Sequence, residues 1–354
     1  MDDNQYIVVN ATALDRSGAL SILKQFIENI PPDKGKWLIF APDNVALTSK
    51  KENVRIEPIS GVKPMHKRLK WDALGLNRWI KQHNIDPVAA LSLQNTGFHL
   101  DKKVPNFIYY HQPVPFFANK WNPLKTNQRT FWFYKHIYPF FVSLFLKKDT
   151  HIFVQLDFIK EGFAKRFNHP KNKIGVYTPT VNPPQFSDEI KSPSQFTLIY
   201  PAMPHFYKNH RVIEEALKIS SKNMEIIFTI PSLSNEKDQD IRIKHIGMQP
   251  QDKIWEMYRT CDALLFPSFI ETFGLPLLEA ALTGMPIIAA DLPYAREVLE
   301  GYEGVKFVKH DDPKAWAKAI DNLKKGERFK PIEISKRPSW EALFNTILKE
   351  IPKN

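Results

Sequence analysis

Asp262-Ala263-Leu264-Leu265-Phe266-Pro267-Ser268-Phe269-Ile270-Glu271-Thr272-Phe273-Gly274-Leu275-Pro276-Leu277-Leu278-Glu279-Ala280-Ala281-Leu282-Thr283-Gly284-Met285-Pro286-Ile287-Ile288-Ala289-Ala290 decides the fold of this 354-residue chain. Asp262–Phe266 and Ile287–Ala290 are short, unbroken apolar runs of the kind that fill strands buried on both faces. Between them, Pro276 suits the start of a helix, where its missing N–H costs nothing, and Gly284 suits the residue just past the end. The stretch therefore predicts strand, loop, helix, strand, which is one unit of a parallel sheet.

In open sheets of this kind, ligands bind beyond the carboxyl ends of the strands, where helix N-termini aim unpaired N–H groups. Glu271 is expected on that loop and Glu279 in the first turn of the following helix, with both carboxylates facing one crevice. An ionised carboxylate accepts short, strong hydrogen bonds, as sugar hydroxyls would offer. Read without further context, Glu279 only complements the helix dipole and Glu271 is a solvated loop residue.

Glu271-x7-Glu279, with Phe273-Gly274-Leu275 inside it and Gly284-x-Pro286-Ile287-Ile288 after it, resembles the donor-site motif of glycosyltransferase family 4. The resemblance runs through the chain in order and is strongest over residues 247–297. It implies the GT-B fold, two doubly wound Rossmann-like domains facing across a cleft, and retaining, metal-independent transfer from a nucleotide-diphosphate sugar. By the same resemblance, Glu271 contacts the transferred sugar, and Glu279 holds the ribose of the nucleotide. Lys208 neutralises the diphosphate, and the backbone at Gly247 and Met248 approaches the base. The partner arginine that the family places in the Lys208 loop is Met203 here, with Arg211 as a substitute. No metal or other cofactor is implied.

Upstream, Tyr6–Val9 predicts a first buried strand and Ala19–Ile30 an amphipathic helix, with Gly18 in the connecting turn. That turn is open to two readings, a phosphate-facing loop or a simple helix entry; the family's adjacent glycines are Ser17-Gly18 here. Leu69–His83 predicts another helix. Phe107–Pro113 reads as a strand with His111 at its carboxyl end, where ligand contacts concentrate, and the resemblance places a histidine beside the donor sugar at this position. The expected domains are 1–182 and 196–330, joined by a Pro- and Ser-rich linker at 183–195. Residues 331–354 form a helix packing back toward the first domain. Arg296–Leu299 is read as the start of the sheet edge.

Residues 113–148 mix Phe116, Phe117, Trp121, Phe131–Tyr134, Phe140 and Phe141 with Lys120, Lys125, Arg129, Lys135, Lys147 and Lys148. This composition fits an element lying on an anionic membrane, or a buried helix whose basic residues are solvated. Pro139 breaks any single helix there.

Hydrophobic and charged fractions of 43% and 25% are those of a globular protein, and 354 residues suffice for two cores. The single cysteine, Cys261, excludes an internal disulfide and a cysteine-rich metal site. The net charge of +11 fits an anionic partner but does not by itself decide which. Zinc-finger spacing and RNA-recognition signatures are missing, which argues against nucleic acid and leaves a diphosphate substrate or a membrane surface. The acidic, polar N-terminus is unlike a secretory leader. The expectation is a cytoplasmic protein, peripheral on the inner face of the plasma membrane, that builds a bacterial surface polysaccharide on a glycan or polyprenyl-diphosphate-linked acceptor. The alternative is a non-catalytic sugar-nucleotide-binding or scaffold protein of the same fold, which turnover distinguishes.

Overall fold

The computed structural model describes residues 2–185, 193–231, 240–333 and 338–352. The chain divides into two compact units, Met1–Thr180 with Arg337–Asn354, and Val181–Lys336. The crossings thus fall after Thr180 and Lys336, whereas the sequence placed them after 182 and 330. Residues 186–192 of the expected linker lie outside the described residues. The tail of the second unit is held there by backbone bonds from Phe329 to Gly284 (2.8 Å) and from Ile332 to Ala281 (3.1 Å).

The strands of the first unit are β1 (Gln5–Asn10), β2 (Trp37–Pro42), β3 (Val54–Ile59), β4 (Asp86–Ser92), β5 (Asn106–Tyr109), β6 (His151–Val154) and β7 (Ile174–Val176). Its helices are α1 (Ser17–Asn29), α2 (Met65–Lys70), α3 (Leu76–Gln82), α4 (Thr126–His136), α5 (Tyr138–Ser143) and α6 (Asp157–Phe167). The sheet is parallel throughout in the order β3-β2-β1-β4-β5-β6-β7, so its direction of winding switches between β1 and β4. Alternate residues of each strand serve opposite faces: Ile7, Val9, Trp37 and Ile39 pack on one side, Val8, Leu38 and Phe40 on the other. The apolar spacing anticipates α1 closely, and Gly18 falls inside its first turn rather than before it. The expected Leu69–His83 helix is longer, starting at Met65, and is interrupted by a π-turn at Trp71–Gly75. Pro139 acts as expected: α4 stops and α5 begins around Ile137.

The second unit contains β8 (Thr197–Tyr200), β9 (Glu225–Phe228), β10 (Ile243–His245), β11 (Ala263–Phe266), β12 (Ile287–Ala290) and β13 (Val305–Val308). With them come α7 (His210–Leu217), α8 (Gln251–Thr260), α9 (Leu275–Leu282), α10 (Pro293–Val298) and α11 (Pro313–Asp321). Its sheet, also parallel, runs β10-β9-β8-β11-β12-β13 and switches between β8 and β11. Residues 296–299, expected at a sheet edge, instead belong to α10 and its cap. Tyr294, Ala295 and Val298 bury one face there at helical spacing, which the strand reading overlooked. A final helix, α12 (Trp340–Glu350), returns to the first unit, where Trp340, Leu343, Phe344 and Ile347 join the core beside α1. Each such large side chain contributes about 2–3 kcal/mol by leaving water.

Candidate active site

The β11–α9 loop is shaped by its own sequence. Gly274 caps α9 with φ +87°, and a Cβ there would sit 3.3 Å from Leu277 and 3.4 Å from Tyr294. Phe273 is buried against this turn, and Leu275 opens the helix with Pro276 behind it. At the helix end Gly284 takes φ +73°, as the sequence requires.

Glu271 stands on this loop and forms an ion pair with Lys208, from the β8–α7 loop on the other side of the switch point. Both side chains are largely buried, 13% and 15% exposed. The two loops are stitched together around the pair. Phe269 N–H donates to the Tyr207 carbonyl (2.9 Å), and Asn209 Nδ2 donates to the carbonyls of Pro267 (3.3 Å) and His310 (2.7 Å). The Tyr294 hydroxyl donates to the Ser268 carbonyl (2.6 Å), and Tyr200 to that of Lys208 (2.6 Å). Burial, reinforced by the Glu271 carboxylate, holds the phenols of Tyr200, Tyr207 and Tyr294 well above their ordinary values. Burial and Lys208 press His210 down to about 4, so its ring is neutral.

Glu279 departs from expectation. It lies one turn into α9 rather than in the first turn, so its role is not to complement the helix dipole. It is buried against α8, accepting hydrogen bonds from the Tyr258 hydroxyl and Gln251 Nε2, both at 3.0 Å. Burial raises its carboxyl to about 6 despite these donors. Glu271 and Glu279 therefore take their hydrogen bonds from different residues, Glu271 from Lys208 and Glu279 from Tyr258 and Gln251. Tyr258 and Gln251 escaped the sequence reading. Their seven-residue spacing, which puts both on one face of α8, is the signal that could have found them.

Gly247 follows β10, its N–H donating to the Ile230 carbonyl (3.3 Å), and Met248 beside it is 73% exposed. Arg211 extends from α7 to Glu215 at 2.6 Å with its side chain 83% exposed, and Met203 is also exposed. Asp238-Gln239-Asp240 is the one Asp-x-Asp spacing in the sequence. Its first two residues lie outside the described ones, and Asp240 is engaged by Arg242. Among the described residues, no cluster of three His, Cys, Asp or Glu side chains could hold a metal ion.

On the first unit, His111 lies just beyond β5, next to β4 at the switch point. Its backbone N–H donates to Asn95 Oδ1 (2.6 Å), and its Nε2 is 3.0 Å from the Leu93 carbonyl. Burial lowers the ring to about 4, partly offset by that carbonyl. Gly18 is exposed in the first turn of α1, with open space where a Cβ would point.

Residues 206–338 match the family described as glycosyl transferases group 1. The chain is 26% identical over 196 residues to the O-antigen chain mannosyltransferase RfbU of Salmonella typhimurium, covering 53% of this chain and 55% of that protein. The chain thus spans little more than half of that relative's length. Among solved structures, a glycosyltransferase from Rickettsia africae superposes with TM-score 0.62 at 16% identity, covering 98% of this chain and 94% of its own. Anabaena HepE, solved with UDP and glucose, gives 0.57 at 12% identity over 98% and 95%. The fold is GT-B.

Proposed function

We propose that this chain is a glycosyltransferase that moves a sugar from a nucleotide-diphosphate donor to a lipid-linked glycan acceptor in bacterial surface polysaccharide synthesis. The observation that carries this reading is the Lys208–Glu271 pair, which bridges two loops over the switch point of the second sheet with Gly274 and α9 alongside. A cation, a carboxylate and the positive end of a helix are the groups needed to hold a diphosphate and a sugar hydroxyl together. The match of residues 206–338 and the O-antigen mannosyltransferase relative support the same class.

In this reading Glu271 orients the transferred sugar and Lys208 takes up charge on the departing diphosphate, the step where preorganised electrostatics count most. The helix N-terminus at Leu275 shares that charge. Glu279, braced by Tyr258 and Gln251, faces the ribose, while Gly247 and Met248 approach the base. We assign His111, a neutral imidazole, to contact with the sugar. Transfer proceeds with retention and without a metal, the diphosphate itself accepting the acceptor's proton.

The membrane side rests on residues 113–148. Trp121, Tyr138 and Val142 are buried, but Leu124, Phe140 and Leu144 are 91%, 63% and 49% exposed. Lys120, Lys125, Arg129, Lys147 and Lys148 are exposed in the same segment, while Lys135 donates inward to the Phe117 carbonyl at 2.7 Å. No described helix is long and apolar enough to cross a membrane. The segment fits peripheral contact with anionic lipid.

The decisive test screens nucleoside diphosphates for binding and then the matching sugar nucleotides for turnover. Turnover that Glu271→Ala abolishes in a folded protein supports the enzyme; binding without turnover under any donor and acceptor favours a scaffold.

A further inference from the structure

The first sheet carries a buried polar network at its own switch point. Asp72, in the π-turn, is 1% exposed, and its Oδ1 accepts from Asn10 Nδ2 (2.7 Å) and Gln94 Nε2 (3.1 Å). Its Oδ2 faces Arg68 Nε at 3.6 Å and has no hydrogen-bond partner among the described residues. Arg68 Nη2 in turn donates to the Gln94 carbonyl (2.6 Å) and to Thr96 Oγ1 (2.7 Å). Thr12 and the Ala13 N–H close the network on Gln94 Oε1.

A buried ion pair is weak evidence of stability, because desolvation offsets most of the attraction. The arrangement is better explained by what it shapes. Beyond Asp72, Arg68 bonds to the 94–96 turn, just past the end of β4, and also meets the Tyr138 hydroxyl. Asn95 in that turn is held at φ +69°, a conformation non-glycine residues rarely adopt. From there its Oδ1 anchors the backbone of His111, and the Leu93 carbonyl at the start of the same turn meets His111 Nε2. Two groups of this turn meet Nε2, the Leu93 carbonyl at 3.0 Å and Asn95 Nδ2 at 3.4 Å; the shorter contact, to a group that can only accept, favours the proton on Nε2.

We propose that Arg68, backed by Asp72, is a positioning residue: it sets the 93–96 turn that holds His111 in one orientation and as the Nε2–H tautomer. The network gives a reason for the π-turn: from within it Asp72 reaches Asn10 and Gln94, and such defects are frequent at functional sites. The consequence for turnover rests on the transferase reading above; the state of the ring does not.

The test follows the ring nitrogens of His111 by 15N NMR in histidine-labelled protein, assigned with His111→Gln, alongside steady-state kinetics. Arg68→Ala is expected to shift His111 to mixed or reversed tautomers. It should lower kcat on the order of 10-fold to 100-fold, as a misplaced group near the chemistry does, with the donor KM little changed. Arg68→Lys, or free guanidinium added to Arg68→Ala, should restore part of both. Should Arg68→Ala fail to fold, Thr96→Val removes one acceptor of Arg68 at constant size and should move the ring signals in the same direction. Unchanged ring signals in a folded variant overturn the proposal, whatever happens to kcat. Shifted ring signals in a protein that turns over no donor sustain the positioning and remove only the transferase.

Discussion

Lys208 and Glu271, sixty-three positions apart, close an ion pair over the point where the second sheet reverses its winding. Each neutralises the other, so under the proposed function a diphosphate would compete with Glu271 for the ammonium.

That competition gives two opposite signs for one variant. Glu271→Gln should tighten nucleoside diphosphate binding several-fold, because the Lys208 ammonium no longer has a carboxylate partner to leave. The same change should lower kcat about 100-fold or more, the scale seen when one preorganised polar contact to the reacting group is removed. Lys208→Ala should weaken the diphosphate instead. Calorimetric titration with UDP, GDP and ADP, beside initial rates, reads both; equal diphosphate affinity in all three proteins removes the competition.

Under the proposed function Glu279 sets stability against binding. Its folded pKa of about 6 stands above the ordinary 4.5, so between those values the folded chain holds the proton more tightly than the unfolded chain. Its ionisation therefore subtracts stability as pH rises through that window, about 2 kcal/mol once complete, and nothing further above it. Glu279→Gln should raise the melting temperature at pH 7.5 by a few degrees, leave it unchanged near pH 4, and weaken the donor about 10-fold. Melting curves at the two pH values check the first part. A variant less stable at pH 7.5 would show that the bonds from Tyr258 and Gln251 outweigh the buried charge.

Gly284 is fixed by its surroundings as well as its φ. A Cβ there would lie 2.3 Å from the Phe329 carbonyl oxygen, which belongs to backbone and cannot swing away. Left-handed strain and this clash together should make Gly284→Ala cost at least about 2 kcal/mol. Denaturant unfolding of the purified variant measures the loss directly.

Replacing Leu124, Phe140 and Leu144 with serine removes mostly exposed apolar area, and none of the three belongs to the buried core, so the fold should survive. Flotation with vesicles containing anionic lipid should fall sharply in the triple variant and decline with salt in the parent. A parent that stays unbound at low salt takes the membrane out of the reading.

The βαβ unit around Glu271, the helix of residues 17–29 and the break at Pro139 were all legible because their causes are local. Buried strands, caps and proline stops act within a few residues of themselves. What escaped was long-range or depended on which face of a helix is covered. The 296–299 segment reads equally as strand or helix until Tyr294 and Val298 are seen to share a buried face.

From the sequence alone came two doubly wound units, the motif loop, and Glu271, Glu279, Lys208 and His111 as the residues to examine. Tertiary structure decided their partners. It paired Lys208 with Glu271, turned Glu279 toward Tyr258 and Gln251, and brought Arg68 and Asp72 beneath the turn that carries Asn95. Hydrogen-bond partners many residues apart leave no periodic trace in a chain; they are fixed only when the sheet order brings the ends of distant strands side by side.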